Sequence, residues 1–240
     1  MESALIPGGV QSVARACAVL RVLSDSAAPL GATEVARRVG LNRTIVYRLL
    51  RTLQAEGMVR SVDGRFALAE ENLRLGYSYL EGLGFYRSTL AYAVLLCNRF
   101  VADRPWVVSI GVPVRDEVLL VDRLWGRHAP LDIILDIGTR LPIDRSALGR
   151  AILATRPERE VRALVGDDSF ERIAGRLAGV RRSRVSFADG EVQAGVCAIA
   201  APVCDQGGRA MAAVAVSGTD IRAHLQPDSE VAERIRRTAD

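Results

Sequence analysis

Lysine is absent from this 240-residue chain, so all 32 of its cationic side chains are arginine. Exclusive arginine usage is a matter of composition and carries no chemistry by itself. Histidine is scarce: His128 and His224 lie far apart, without metal-like spacing to cysteine or aspartate. Both are expected to be solvated or packed, and no metal centre is expected. The four cysteines, Cys17, Cys97, Cys197 and Cys204, include no CxxC pair. That argues against zinc or a structural disulfide and for buried thiols in a reducing compartment. No apolar run reaches the roughly 18 residues of a membrane span. Residues 1–10 lack the basic start and apolar core of a secretion signal. A cytoplasmic protein with no membrane partner is therefore expected. Ser146, with Asp144 nearby, sits in no GxSxG elbow and has no histidine placed to activate it. Gly207-Gly208 reads as a hairpin turn, because no strand–loop–helix context makes it a phosphate loop. Neither a catalytic residue nor a cofactor is expected.

What is present begins with apolar content, 49% of the residues, enough for the cores of one large domain or two ordinary ones. The net charge of +4 is unevenly spread. Residues 1–70 hold nine arginines against six carboxylates, a surplus of three; the other 170 hold 23 against 22, a surplus of one. The basic excess coincides with TEVARRVG-LN-RTIVYRLLRTLQ, residues 33–54, which reads as two short helices around a tight break. Thr33 is the expected N-cap of the first helix, Gly40 its left-handed end, and Asn42 the cap of the second. Val46, Leu49, Leu50 and Leu53 recur at helical spacing and form a stripe to be buried. Arg43, Thr44, Tyr47, Arg48 and Arg51 are left outside with no carboxylate among them. That face suits a phosphate-lined groove, so the pair reads as a helix-turn-helix with an exposed recognition helix. An ordinary helix pair with solvated arginines is the alternative on this stretch alone.

The flanks decide between the two. Residues 12–24 predict a preceding helix. Met58–Arg60 and Arg65–Leu68 predict two strands joined by Asp63-Gly64, a strong hairpin signal. A hairpin directly after a recognition helix is a wing, and Arg60 and Arg65 flank its tip. Residues 70–81 predict a connecting helix, a dimer contact or a plain linker. Further helices are expected at 88–101, 145–154, 158–165, 170–181 and 229–238. Strands are expected at 106–111, 118–123, 131–135, 196–204 and 211–217. This order implies an antiparallel or mixed sheet flanked by helices. Arg181-Arg182-Ser183-Arg184 reads as a solvated helix end, with a second DNA contact or an anion gate as the alternatives. Trp106 and Trp125 read as core, or as a pocket wall.

The segments GVQSVARACAVLRVLSD, LNRTIVYRLLRTLQAEGMV, DGRFAL, GTRLPIDRSALGRAILA and ADGEVQAGVCAIAAPVCDQGGRAMAAVAVSG, in this order, resemble the IclR family of bacterial transcriptional regulators. The resemblance implies an α+β chain: a winged helix-turn-helix at 1–69, a linker helix at 70–84 and a GAF-like α/β effector-binding domain at 85–240. It also implies dimers or dimers of dimers on palindromic double-stranded operators. The candidate DNA-binding set is Thr33, Asn42, Arg43, Thr44, Tyr47, Arg48, Arg51, Arg60 and Arg65. Two departures leave the fold intact: Phe66-Ala67-Leu68-Ala69 replaces Tyr-x-Leu-Gly, and Ala147-Leu148-Gly149-Arg150 replaces an alanine–leucine–glycine–lysine pattern. In relatives that bind small 2-oxo acids, an acidic pair, a cysteine and two serines line the pocket. Those positions fall here on Ala188 and Asp189, on Ala198, and on Ala215 and Ser217, with Ala147 and Leu148 counted beside them. Cys197 is one residue out of step. Three of the five polar groups are lost, and burying a small polyanion without donors is costly. The expected effector is larger and less polar than glyoxylate, an aromatic or lactone-like metabolite. Two alternatives stay open: an enzyme or metabolite-binding protein with a vestigial DNA module, and a scaffold dimer whose pocket side chains fill.

Overall fold

In the computed structural model, residues 8–239 are described, and they divide at Gly82/Leu83 into two compact units. In the N-terminal unit, α1 (Gln11–Ser24), α2 (Ala32–Val39) and α3 (Arg43–Ala55) precede a hairpin of β1 (Val59–Val62) and β2 (Arg65–Leu68), then α4 (Glu71–Gly82). Val19, Leu23, Val35, Val46, Leu50, Leu53, Val59 and Phe66 close its core. Leu49 is only half-buried at the edge of that stripe. Leu30 exchanges both backbone hydrogen bonds with Phe66, at 2.9 and 2.8 Å, an isolated antiparallel bridge that ties the loop before α2 to the wing.

That bridge corrects the expected start of α2. Pinning Leu30 makes Gly31 the N-cap, and it caps without a side chain. Thr33 lies exposed inside the first turn instead. The end of α2 follows expectation: Gly40 takes φ 69°, where a Cβ would be strained, and its N–H returns to the Ala36 carbonyl.

The C-terminal unit is built on a six-stranded antiparallel sheet. Its elements are α5 (Tyr86–Leu96), β3 (Trp106–Val114), β4 (Glu117–Trp125), β5 (Arg140–Pro142), α6 (Ala147–Leu153), α7 (Glu158–Val165), α8 (Asp167–Ser183), β6 (Ser186–Asp189), β7 (Cys197–Cys204), β8 (Ala210–Gly218) and α9 (Glu230–Ala239). The strand order is β5-β4-β3-β8-β7-β6. The α6 and α8 layer covers one face and the α5 and α9 layer the other, both packing on the central strands. With both faces covered, β7 and β8 carry near-continuous apolar runs rather than an alternating pattern.

Two expectations are corrected here. Residues 131–135 form no strand: Pro130 leads into a 3-10 turn at Leu131–Ile133. The ladder beside β4 is taken by β5, with Val118 opposite Leu141, a short edge strand that ends on Pro142. The helix expected at 88–101 is α5 followed by a π-helical turn at Cys97–Val101. β5 and β6 are too short to signal themselves in sequence.

Gly149 marks the tightest approach under the sheet. A Cβ there would lie 2.0 Å from the Ile143 carbonyl oxygen. Gly149→Ala is expected to destabilise the C-terminal unit by about 1–3 kcal/mol, as overpacked cores do. A lowered urea midpoint would show this; an unchanged midpoint would mean that the segment before α6 yields.

Candidate DNA-reading face and effector cavity

The recognition helix is capped at its N-terminal end and seated by a buried stripe. The Asn42 side chain accepts the Thr44 N–H at 2.8 Å, satisfying one free donor of the first turn. Burial of Val46, Leu50 and Leu53 fixes the rotation of α3. Arg43, Thr44, Tyr47, Arg48 and Arg51 are consequently exposed. Tyr47 is 50% exposed and meets Phe66 edge-on, with ring centroids 6.4 Å apart, so the wing supports it. Asp63 (φ 50°) and Gly64 (φ 74°) make the two-residue wing turn. Both wing arginines are exposed and braced by backbone: Arg60 Nε donates to the Leu68 carbonyl at 3.3 Å, and Arg65 Nε to the Pro29 carbonyl at 2.8 Å.

In the C-terminal unit, six of the seven sequence-derived effector positions line one cavity of about 70 Å³: Ala147, Leu148, Ala188, Ala198, Ala215 and Ser217. The rest of its wall is mainly apolar, with Leu120, Ile133, Leu135 and Leu141 among the contributors. Ser109, Ser146, Gln193 and Ser217 supply the polar groups, and no charged side chain lines it. Ser146 Oγ accepts the Gly149 N–H at 3.0 Å as the cap of α6.

Asp189 does not join the other six. Side chains along a strand alternate between faces. Ala188 opposes Ala198 on the cavity face, while Asp189 opposes Cys197 on the other. There Cys197 Sγ donates to Asp189 Oδ1 at 3.1 Å, and Arg222 pairs with the same carboxylate at 2.6 Å. Burial first, and then Asp189, push the Cys197 thiol above its ordinary range, which makes it an unreactive packing group.

Sequence reasoning also missed Arg150. It is 1% exposed, and its guanidinium donates to the carbonyls of Asp144 (3.2 Å), Arg145 (3.0 Å) and Phe187, and to Glu191 Oε2 (2.5 Å). Burial pushes it below its ordinary pKa, and Glu191 pulls it back. Its replacement of the lysine in the family pattern was the available signal.

The arginine run at the end of α8 is the exposed helix end that was expected, with Arg181, Arg182 and Arg184 all exposed. Arg181 donates to the Ala154 and Arg156 carbonyls, at 3.0 and 3.4 Å, and Arg184 takes the left-handed cap at φ 59°. Trp106 is buried, its indole N–H donating to Asp220 at 2.5 Å, and His224 packs edge-on against it; Trp125 is 49% exposed. Among the described residues, no His, Cys, Asp or Glu cluster could hold a metal, and no helix is long and apolar enough to cross a membrane.

Two sequence families match. "Bacterial transcriptional regulator IclR C-terminal" covers residues 106–240, and the IclR helix-turn-helix domain covers residues 12–63. The glycerol operon regulatory protein of Streptomyces coelicolor is 32% identical over 87% of this chain and 85% of its own length. An IclR transcriptional regulator from Alicyclobacillus acidocaldarius superposes with a TM-score of 0.78 at 25% identity, over 96% of each chain. An IclR homologue from Microbacterium hydrocarbonoxydans, crystallised with 4-hydroxybenzoate, shares the fold with a TM-score of 0.76 at 24% identity, over 95% of this chain and 96% of that one.

The cap geometry gives a direct test. Asn42→Ala should cost about 0.5–2 kcal/mol and lower the melting temperature of the N-terminal unit, while Asn42→Ser should restore most of the loss. Equal stability of all three proteins would show that the cap contributes nothing.

Proposed function

The chain belongs to the IclR family of bacterial transcriptional regulators, and from that premise we propose how its residues divide the work. It is a DNA-binding regulator with a C-terminal domain that binds a small-molecule effector. In this reading the functional division follows residues 1–69, 70–84 and 85–240, and α3 enters the major groove. Arg43, Thr44 and Tyr47, at its N-terminal end, read base edges; Arg48, Arg51 and the wing residues Arg60 and Arg65 grip phosphates. The observation that carries the reading is the outer face of α3: exposed, basic and free of carboxylates, with its rotation set by a buried stripe.

A homodimer, or a dimer of dimers, would set two such helices roughly 34 Å apart on a palindrome. Leu73, Leu75, Tyr77 and Tyr79 of α4 support self-association, since each is 45–62% exposed. The protein acts in the cytoplasm, without a membrane partner. Catalysis has no part in the reading: Ser146 is committed to its cap, and neither histidine lines the cavity. The enzyme alternative predicts turnover of a ligand by the purified protein.

The effector is a weakly polar molecule, aromatic or lactone-like. This rests on the cavity wall, where alanines stand at three of the five polar positions of oxo-acid-binding relatives and no cation offers a counter-ion. Binding there would shift operator affinity through a coupling of about 1–3 kcal/mol.

Two measurements test this division. Arg51→Ala should weaken binding to all DNA sequences and flatten its salt dependence by about one counterion, while Arg43→Ala should relax sequence preference. Wild-type gel-shift titrations for both variants would remove α3 from the groove. In a thermal-shift panel, neutral phenols and lactones are set against the anions glyoxylate, pyruvate and 4-hydroxybenzoate. Stabilisation by the small oxo acids alone would overturn the effector class.

A further inference from the structure

The effector cavity is small. Its volume of about 70 Å³ accommodates one or two waters, whereas about 150 Å³ is enough to admit benzene. Any aromatic guest must displace part of the wall, and two segments form its movable part. Ile133 and Leu135 come from the turn after β4; Val192, Gln193 and Val196 come from the loop between β6 and β7. Gln193 Nε2 donates to the Asp132 carbonyl at 3.1 Å and ties the two together. Gly190 (φ 68°) and Gly195 (φ 77°) give the second segment two residues in the left-handed region that glycine adopts without strain.

What holds this roof down is Glu191. One carboxylate oxygen meets Arg150 at 2.5 Å, the other meets Arg176, and Arg145 Nη2 donates to the Glu191 carbonyl at 2.7 Å. The pair is asymmetric. Arg150 is fixed in the core and keeps three backbone carbonyls whether or not Glu191 is present. Glu191 is 25% exposed and borders an open cleft of about 630 Å³ between α8 and β6. Its carboxylate can pass into water; Arg150 then keeps its three carbonyl acceptors but loses its counter-ion, a cost that keeps the contact closed until a guest offsets it.

We propose that Glu191 is the latch of a roof formed by residues 190–196 and 131–137, and that bulky effectors enter by its release. The latch is a positioning device: Glu191 touches no guest, but it sets the size and affinity of what the cavity admits. The proposal rests on the effector reading above and regulates that same cavity.

Hydrogen exchange on the full chain tests it without a ligand. Glu191→Gln should speed amide exchange at least tenfold in 190–196 and, through Gln193, raise it in 131–137, while β7 and β8 stay protected. Arg176→Ala, which removes only the exposed arm, should give a smaller change at the same amides and guards against misfolding of the first variant. With 4-ethylphenol and 4-methylphenol as probes, Glu191→Gln should bind several-fold more tightly, because the roof is already released. Unchanged exchange at 190–196, or acceleration spread evenly over the C-terminal unit, would overturn the latch. Roof exchange that responds while neither probe binds would uphold the latch and remove the aromatic effector. Equal probe binding with an unmoved roof would do the reverse.

Discussion

Helices cover both faces of the six-stranded sheet, and strand side chains alternate with a period of two. Together these constraints fix what each residue of β6, β7 and β8 can do. Ala188, Ala198, Ala215 and Ser217 face the cavity because they share one parity across paired strands. Cys197 and Asp189 share the other and meet beneath it. A shift of one residue in the register would exchange the two sets and convert an apolar cavity into one holding a thiol and a carboxylate.

The same economy governs the N-terminal unit by a different period. Val46, Leu50 and Leu53 must be buried, and a 3.6-residue repeat then leaves Arg43, Thr44, Tyr47, Arg48 and Arg51 no place but the surface. The wing reinforces this orientation. Phe66 enters the core, bridges to Leu30 and supports the edge of Tyr47. DNA-reading geometry is in this sense a by-product of core packing, with the cap on Asn42 trimming the end.

Charge in the C-terminal unit follows desolvation. A buried cation persists where enough acceptors surround it, and an arginine fork can reach several at once. Arg150 uses that capacity to join the start of α6, the β6 strand and the roof loop. Among the described residues, the wall of the cavity beside it carries no ionic group, only apolar side chains, three hydroxyls and one amide.

Sequence by itself determined the helix-turn-helix, its outward face, the wing turn and the two strands β7 and β8 around the turn at 205–208. These features rest on local periodicity and on residues with strong conformational preferences, Gly40, Asn42 and Asp63-Gly64, which need no distant partner. The tertiary structure alone decided the rest. Thr33 lost its capping role to a bridge between Leu30 and Phe66, 36 residues apart. Residues 131–135 became cavity roof because β5 occupied their place beside β4. Arg150 met Glu191 across 41 positions. Each is a contact between segments remote in sequence, and no local pattern encodes which remote partner arrives first to satisfy a backbone or a charge.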